Sequence, residues 1–146
     1  MLKLHQHFFR TSFLFIIISF LLSLWLSYYF VKKVELDAAD TTLRKMLAAL
    51  SANSNLNIEY LHKVAQKTNV RITYIDKQGK VLFDSLYNAA QMDNHLKRPE
   101  ILEAKSSQIG SSQRFSNTLK RELLYVAQKV QSGYLRVATS MQSIYE

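Results

Sequence analysis

The chain has 146 residues, a formal charge of +8, no Cys, one Pro and three Gly. That length allows one domain of the usual ~100–150 residues and a short appendage. The basic charge is spread along the chain with no Lys/Arg block and no RNA-binding motif, which argues against nucleic acid, and the lack of Cys permits an oxidising compartment without requiring one.

Met1 to Arg10 forms a short basic tail. His5 and His7 stand two apart, but so short a tail supplies no third metal ligand, and both are expected in solvent. Phe13 to Val31, FLFIIISFLLSLWLSYYFV, then carries no charge. At about 1.5 Å of rise per residue it nearly spans a ~30 Å hydrocarbon core, and Thr11 and Ser12 extend it. A cleaved signal peptide is the alternative. Its apolar region usually runs about 7–15 residues and ends at small residues. Here the run ends in Tyr28-Tyr29-Phe30-Val31-Lys32-Lys33, an aromatic and basic interface belt. The expected division is a cytoplasmic tail over 1–10, a transmembrane helix over 11–31 and an extracytoplasmic domain over 32–146. Lys3 and Arg10 before the run nearly balance Lys32 and Lys33 after it. The short tail and the long following domain favour export of the domain.

Val34 to Leu50 reads as helix, with Leu36, Leu43, Met46, Leu47 and Leu50 at helical spacing. No Gly or Pro separates it from the apolar run, so one continuous rod is expected. Its stripe either covers the domain's sheet or pairs with the same helix of a second copy. Ser51 to Asn55 breaks the pattern. Asn55 or Asn57 caps a second helix over Asn57–Thr68, and Asn69 suits its exit.

The hairpin Val70–Ser85 follows. Val70, Ile72 and Tyr74 alternate with Arg71 and Thr73, and Val81 and Phe83 repeat the pattern. Ile72, Tyr74, Val81 and Phe83 are expected on one buried face. Asp76 opens the turn, and Gly79 supplies the positive φ that closes it. Asp84-Ser85 turns the chain by side-chain bonds to backbone. Leu86 to Leu96 is irregular. Pro99 and Glu100 start a short helix, where the missing N–H and the acidic side chain both suit the first turn. Ser106 to Ser112 reads as a mobile link. Three strands close the chain: Gln113–Leu119, Glu122–Gln128 and Tyr134–Thr139. Helices around about five antiparallel strands make an α+β domain.

Several residues invite chemistry. Arg98 and His95, ahead of the Pro99 helix, either bind an anion with its N-terminal N–H groups or serve structure, Arg98 pairing with Asp84 or Asp93. Arg71, Arg114 and Arg136 sit at alternating strand positions; they either converge on a cleft or face solvent. Tyr125 and Tyr134 are expected at the core's edge with wet hydroxyls. No Gly-x-Ser-x-Gly elbow, phosphate loop or zinc spacing is present, so no catalytic residue and no metal site are assigned.

Taken together, "RITYIDKQGKVLFDS", "MDNHLKRPEILEA", "RFSNTLKRELLYVAQKV" and "GYLRVATSM" resemble the extracytoplasmic sensor of phosphate-regulon-type sensor histidine kinases, a PAS-like, single-Cache domain. The matching features are Asp84-Ser85 at the hairpin's end, the box Asn94-His95-x-x-Arg98-Pro99-Glu100, the strand Arg114-x-Ser116 and the strand Leu124-Tyr125-Val126-Ala127. The resemblance implies a membrane-anchored input region in a bacterial inner membrane, working as a homodimer. It also implies a small-molecule or protein signal, with Arg71, His95, Arg98, Arg114 and Arg136 as candidate ligand contacts. A second transmembrane helix, a linker and a kinase core would lie beyond Glu146. That core would use ATP and magnesium and pass a phosphoryl group to a response regulator; this chain itself would need no cofactor. The same sensor fold also serves chemoreceptors. A membrane-anchored interaction protein with no signalling role is the other alternative.

Overall fold

In the computed structural model, which describes residues 2–53, 57–117 and 119–145, the first element is helix α1, Leu2–Ser51. The chain divides into two compact units, residues 1–36 and 37–146. In the first, every side chain from Phe13 to Val31 is exposed. Among the described residues this is the one helix long and apolar enough to cross a membrane, judged by length and composition.

The second unit begins with the last turns of α1, which bury Leu43, Leu47 and Leu50. Helix α2, Ile58–Thr68, starts at Asn57, whose side chain accepts the Tyr60 N–H at 2.8 Å, and ends at Asn69 in the left-handed conformation, φ 53°. Asn55, the other candidate cap, lies outside the described residues, as does the side chain of His5. Strands β1 (Arg71–Asp76) and β2 (Val81–Asp84) form the hairpin. Helix α3 (Pro99–Ser107) precedes β3 (Ile109–Ser116), β4 (Arg121–Val130) and β5 (Gly133–Ser140). The sheet is antiparallel throughout, in the order β2-β1-β5-β4-β3. The fold is α+β: a long apolar helix, then five antiparallel strands with helices.

Register assigns every strand residue to one of two faces, because directly paired residues point the same way. One face carries Ile72, Leu135, Val137, Val126 and Leu124, all buried. Ser111, paired with Val126, belongs to this face, and its hydroxyl donates to Asp40 of α1 at 2.6 Å. The opposite face carries Ile75, Val81, Ala127 and Tyr134, packed against Ile101 and Ala104 of α3. Helices therefore cover both faces, which explains why β4 and β5 are buried in near-continuous runs.

Three expectations need correction. Val81 and Phe83 do not share a face. The pairing jumps from Tyr74↔Phe83 to Ile75↔Val81, a bulge that leaves Leu82 unpaired and exposed. Phe83 stays with Ile72 and the half-buried Tyr74, while Val81 joins Ile75. Arg71 and Thr73, read as the hairpin's polar face, are buried as well. Ser106 to Ser112 is no link: helix α3 reaches Ser107 and β3 begins at Ile109. Gln108, at a positive φ of 72°, makes the reversal in one residue.

Candidate functional site

Between the α3 face of the sheet and the segment 87–98 lies a cavity of about 230 Å³. Period-2 alternation brings three arginines onto that face. Arg71, Arg136 and Arg114 stand on β1, β5 and β3, and the register gives all three the orientation of Tyr125. His95 and Arg98 come from the loop before α3. All five candidate ligand residues line the one cavity, with Tyr87, Met92 and Tyr125. Of the two readings left open for the strand arginines, the geometry selects convergence.

Local sequence holds the loop in place. Asp76 accepts the N–H groups of Gln78 and Lys80 through its side chain, and Gly79 takes φ 86° to close the turn. A Cβ at Gly79 would lie 2.3 Å from Asn94 Oδ1 and 2.6 Å from the Leu96 backbone nitrogen. The loop can thus lie on the turn only because that residue is glycine. Asn94 donates to the Gln78 carbonyl at 2.7 Å and accepts the Leu96 N–H at 2.9 Å, and the His95 N–H donates to the Gly79 carbonyl at 2.7 Å. Pro99 then opens α3. Gly110 lets that helix approach β3, since an added Cβ would lie 2.2 Å from the Glu100 carbonyl oxygen.

That approach buries Glu100 completely. Its carboxylate accepts from Arg114 at 3.1 and 3.4 Å, from Arg136 at 3.1 Å and from the Ser112 hydroxyl at 2.8 Å. Arg136 also donates to the Thr73 hydroxyl at 3.1 Å, and Thr73 donates to Asp84 at 2.8 Å. Asp84 accepts from Arg71 Nε at 3.0 Å and from the N–H groups of Leu86 and Tyr87. Ser85 returns the chain to β1, its hydroxyl accepting the Ile72 N–H at 3.0 Å. One hydrogen-bonded network therefore runs from Arg71 to Arg114 behind the cavity wall. Both carboxylates are spent inside it.

The charges shape their neighbours. Burial pushes the Glu100 carboxyl up, but the Arg114 hydrogen bond and the Arg136 charge outweigh it, and the group ends at about 2. Burial lowers His95 to about 4, helped by the Arg136 charge and opposed by the bond of its Nδ1 to the Asp93 carbonyl. Burial lowers Arg136 to about 10 against the pull of Glu100, so it stays charged at neutral pH. The Tyr125 ring lies under two guanidinium groups, Arg114 at 4.0 Å and Arg136 at 4.9 Å from its centroid.

Two expectations change here. Tyr125 and Tyr134 are buried, 1% and 5% exposed, so neither is an edge residue. Asp84 pairs with Arg71, which leaves Arg98 without an ion-pair partner among the described residues. Sequence reasoning read Glu100 as a helix start only. Its burial depends on Gly110 and on the strand register, and no local pattern announces either. Among the described residues no three His, Asp or Glu side chains converge as a metal site would require.

No curated protein matches the chain. Among solved structures, a crystal structure of a C-terminal domain from Streptococcus mutans is similar at a TM-score of 0.40 and 13% identity, covering 62% of this chain and 89% of that one. That likeness is distant. Residues 36–139, which hold the sheet, both cavity walls and the network behind them, match the family model described as Single Cache-like, and the chain belongs to that family.

Proposed function

We propose that this chain is the input region of a transmembrane sensor histidine kinase, anchored in a bacterial inner membrane and reading a small molecule in the arginine-lined cavity. A Single Cache-like domain and one apolar N-terminal helix fit a membrane-anchored, extracytoplasmic sensor domain. The kinase assignment goes further. It is supported by the order of the Asp84-Ser85, Asn94–Glu100, Arg114-x-Ser116 and Leu124–Ala127 boxes, as in sensors of the phosphate-regulon type. The single observation that carries a sensing role is the cavity, with its cations gathered from three strands and a loop. In this reading the receptor works as a homodimer and passes a phosphoryl group to a response regulator.

The test is made on the native gene product. Membranes are incubated with radiolabelled ATP and magnesium, and the protein is recovered with an antibody to residues 36–139. A base-stable, acid-labile label, as phosphohistidine gives, supports the kinase reading. An unlabelled protein that nevertheless responds to a stimulus assigns the same sensor to a chemoreceptor or another output.

A further inference from the structure

A second cavity, of about 270 Å³, lies on the α3 face of the sheet at the end where β4 begins and β5 stops. Four segments border it. They are the end of α2 at Ala65 and Asn69, the hairpin's exit at Ser85 and Leu86, the turn from β3 to β4 at Leu119 and Arg121, and the chain leaving β5 at Ser140 and Ser143. The register assembles its floor. Leu123 pairs with Ser140, and Ala138 pairs with both Tyr125 and Arg71, so these side chains share one face. Leu123 and Ala138 are buried there, and the half-buried Leu119 packs against them.

The polar groups around that apolar floor are rich in donors, and among the described residues no Asp, Glu or His lines the cavity. Arg71 is 6% exposed and lines this cavity as well as the first, so its side chain is a wall common to the two. Asp84 accepts its Nε–H, but its two Nη groups make no hydrogen bond among the described residues. Unlike Arg98 Nε and Arg136 Nε, they are not closed off from solvent. The Ser85 and Ser140 hydroxyls accept the backbone N–H groups of Ile72 and Gln142, and each keeps its own hydrogen to donate. Arg121 stands exposed, with no ion pair among the described residues.

We propose that this second cavity binds an amphiphilic monocarboxylic acid, with its carboxylate on Arg71, Arg121 and the serine hydroxyls and its apolar body on Leu119, Leu123 and Ala138. A donor set with no carboxylate of its own calls for an anion, and two guanidinium groups repel a cation. The floor selects among anions. An inorganic ion would leave it wet, whereas an alkyl body removes that apolar surface from water. A volume equal to roughly nine waters at ~30 Å³ each admits an acid of about six carbons. The site is separate from the cavity assigned a sensory role above, and the proposal does not depend on that role. An occupant ties the chain leaving β5 to the body of the domain, since Ser140 and Ser143 line the same space as α2 and the hairpin.

The full 146-residue chain in detergent micelles, in Tris buffer at neutral pH, is titrated calorimetrically with 4-methylpentanoate, and the same micelles without protein give the blank. Binding is expected. 4-Methylpentanamide, the neutral counterpart, and acetate, which lacks the apolar body, should each bind at least tenfold more weakly. Arg121→Ala should weaken the acid about tenfold, whereas Lys129→Ala, outside both cavities, should leave it unchanged. The chain has no Cys and Ser143 is exposed, so Ser143→Cys places a single thiol at the cavity. Saturating acid should slow its labelling by a maleimide at least threefold. Equal binding of the amide, or labelling that the bound acid does not slow, overturns the proposal. So does no binding to protein that still melts cooperatively. Weakening by Arg98→Ala, which borders only the first cavity, in place of Arg121→Ala would put the acid in that first cavity and likewise overturn it.

Discussion

Glu100 and His95 show how burial among cations sets the behaviour of single residues. Glu100 keeps its charge because three donors hold it, and His95 is kept neutral by burial and by the arginines around it. The consequence for stability has a definite sign. As pH falls through about 6.5, unfolded His95 takes up a proton that the folded protein accepts only near 4. The unfolded state binds more protons over that window, so stability falls with pH, by roughly 3 kcal/mol for a shift of this size. Glu100 adds a second fall between about 4.5 and 2, as its depressed carboxyl resists protonation in the folded state. Urea unfolding of the chain from pH 7 to pH 4 should show the first loss. His95→Asn should hold its stability down to about pH 4.5 before declining. An unchanged profile in that variant would show that His95 is not the group responsible.

At the scale of elements, the hairpin separates what sequence can and cannot state. Alternation identified both strands, and Asp76 and Gly79 identified the turn, because each signal is local. The face assignments failed at one point, since the bulge at Leu82 arises from pairing and leaves no mark in the period-2 pattern. The same holds for Glu100. Its place after Pro99 is what a solvated helix start requires, and only the close approach at Gly110 makes it the centre of the network. The convergence of Arg71, Arg114 and Arg136 was half legible: each stood on a strand, but their common face needed the register. A direct check compares Ile75→Ala with Leu82→Ala by chemical denaturation. Ile75 is fully buried, so its truncation should cost about 2–5 kcal/mol. Leu82 is 44% exposed, and its loss should stay within roughly 0.5 kcal/mol. Similar costs at the two positions would mean that the chain pairs without the bulge.

For the molecule as a whole, the long apolar helix and the α+β domain after it were readable because each depends on composition and periodicity. An uncharged run of membrane length and a domain with alternating strands each declare themselves in sequence. Orientation was less readable, because the basic residues nearly balance across the run. An extracytoplasmic sensor requires the Single Cache-like domain to face outward, where a signal from the surroundings can reach the cavity. The chain has no Cys, so a single introduced cysteine is a unique label site. Lys105 is exposed on α3, and Gln6 is exposed ahead of the apolar run. In bacterial spheroplasts expressing the chain, a membrane-impermeant maleimide should label Lys105→Cys at once and Gln6→Cys only after permeabilisation; labelling of Gln6→Cys with Lys105→Cys protected would contradict an outward-facing sensor.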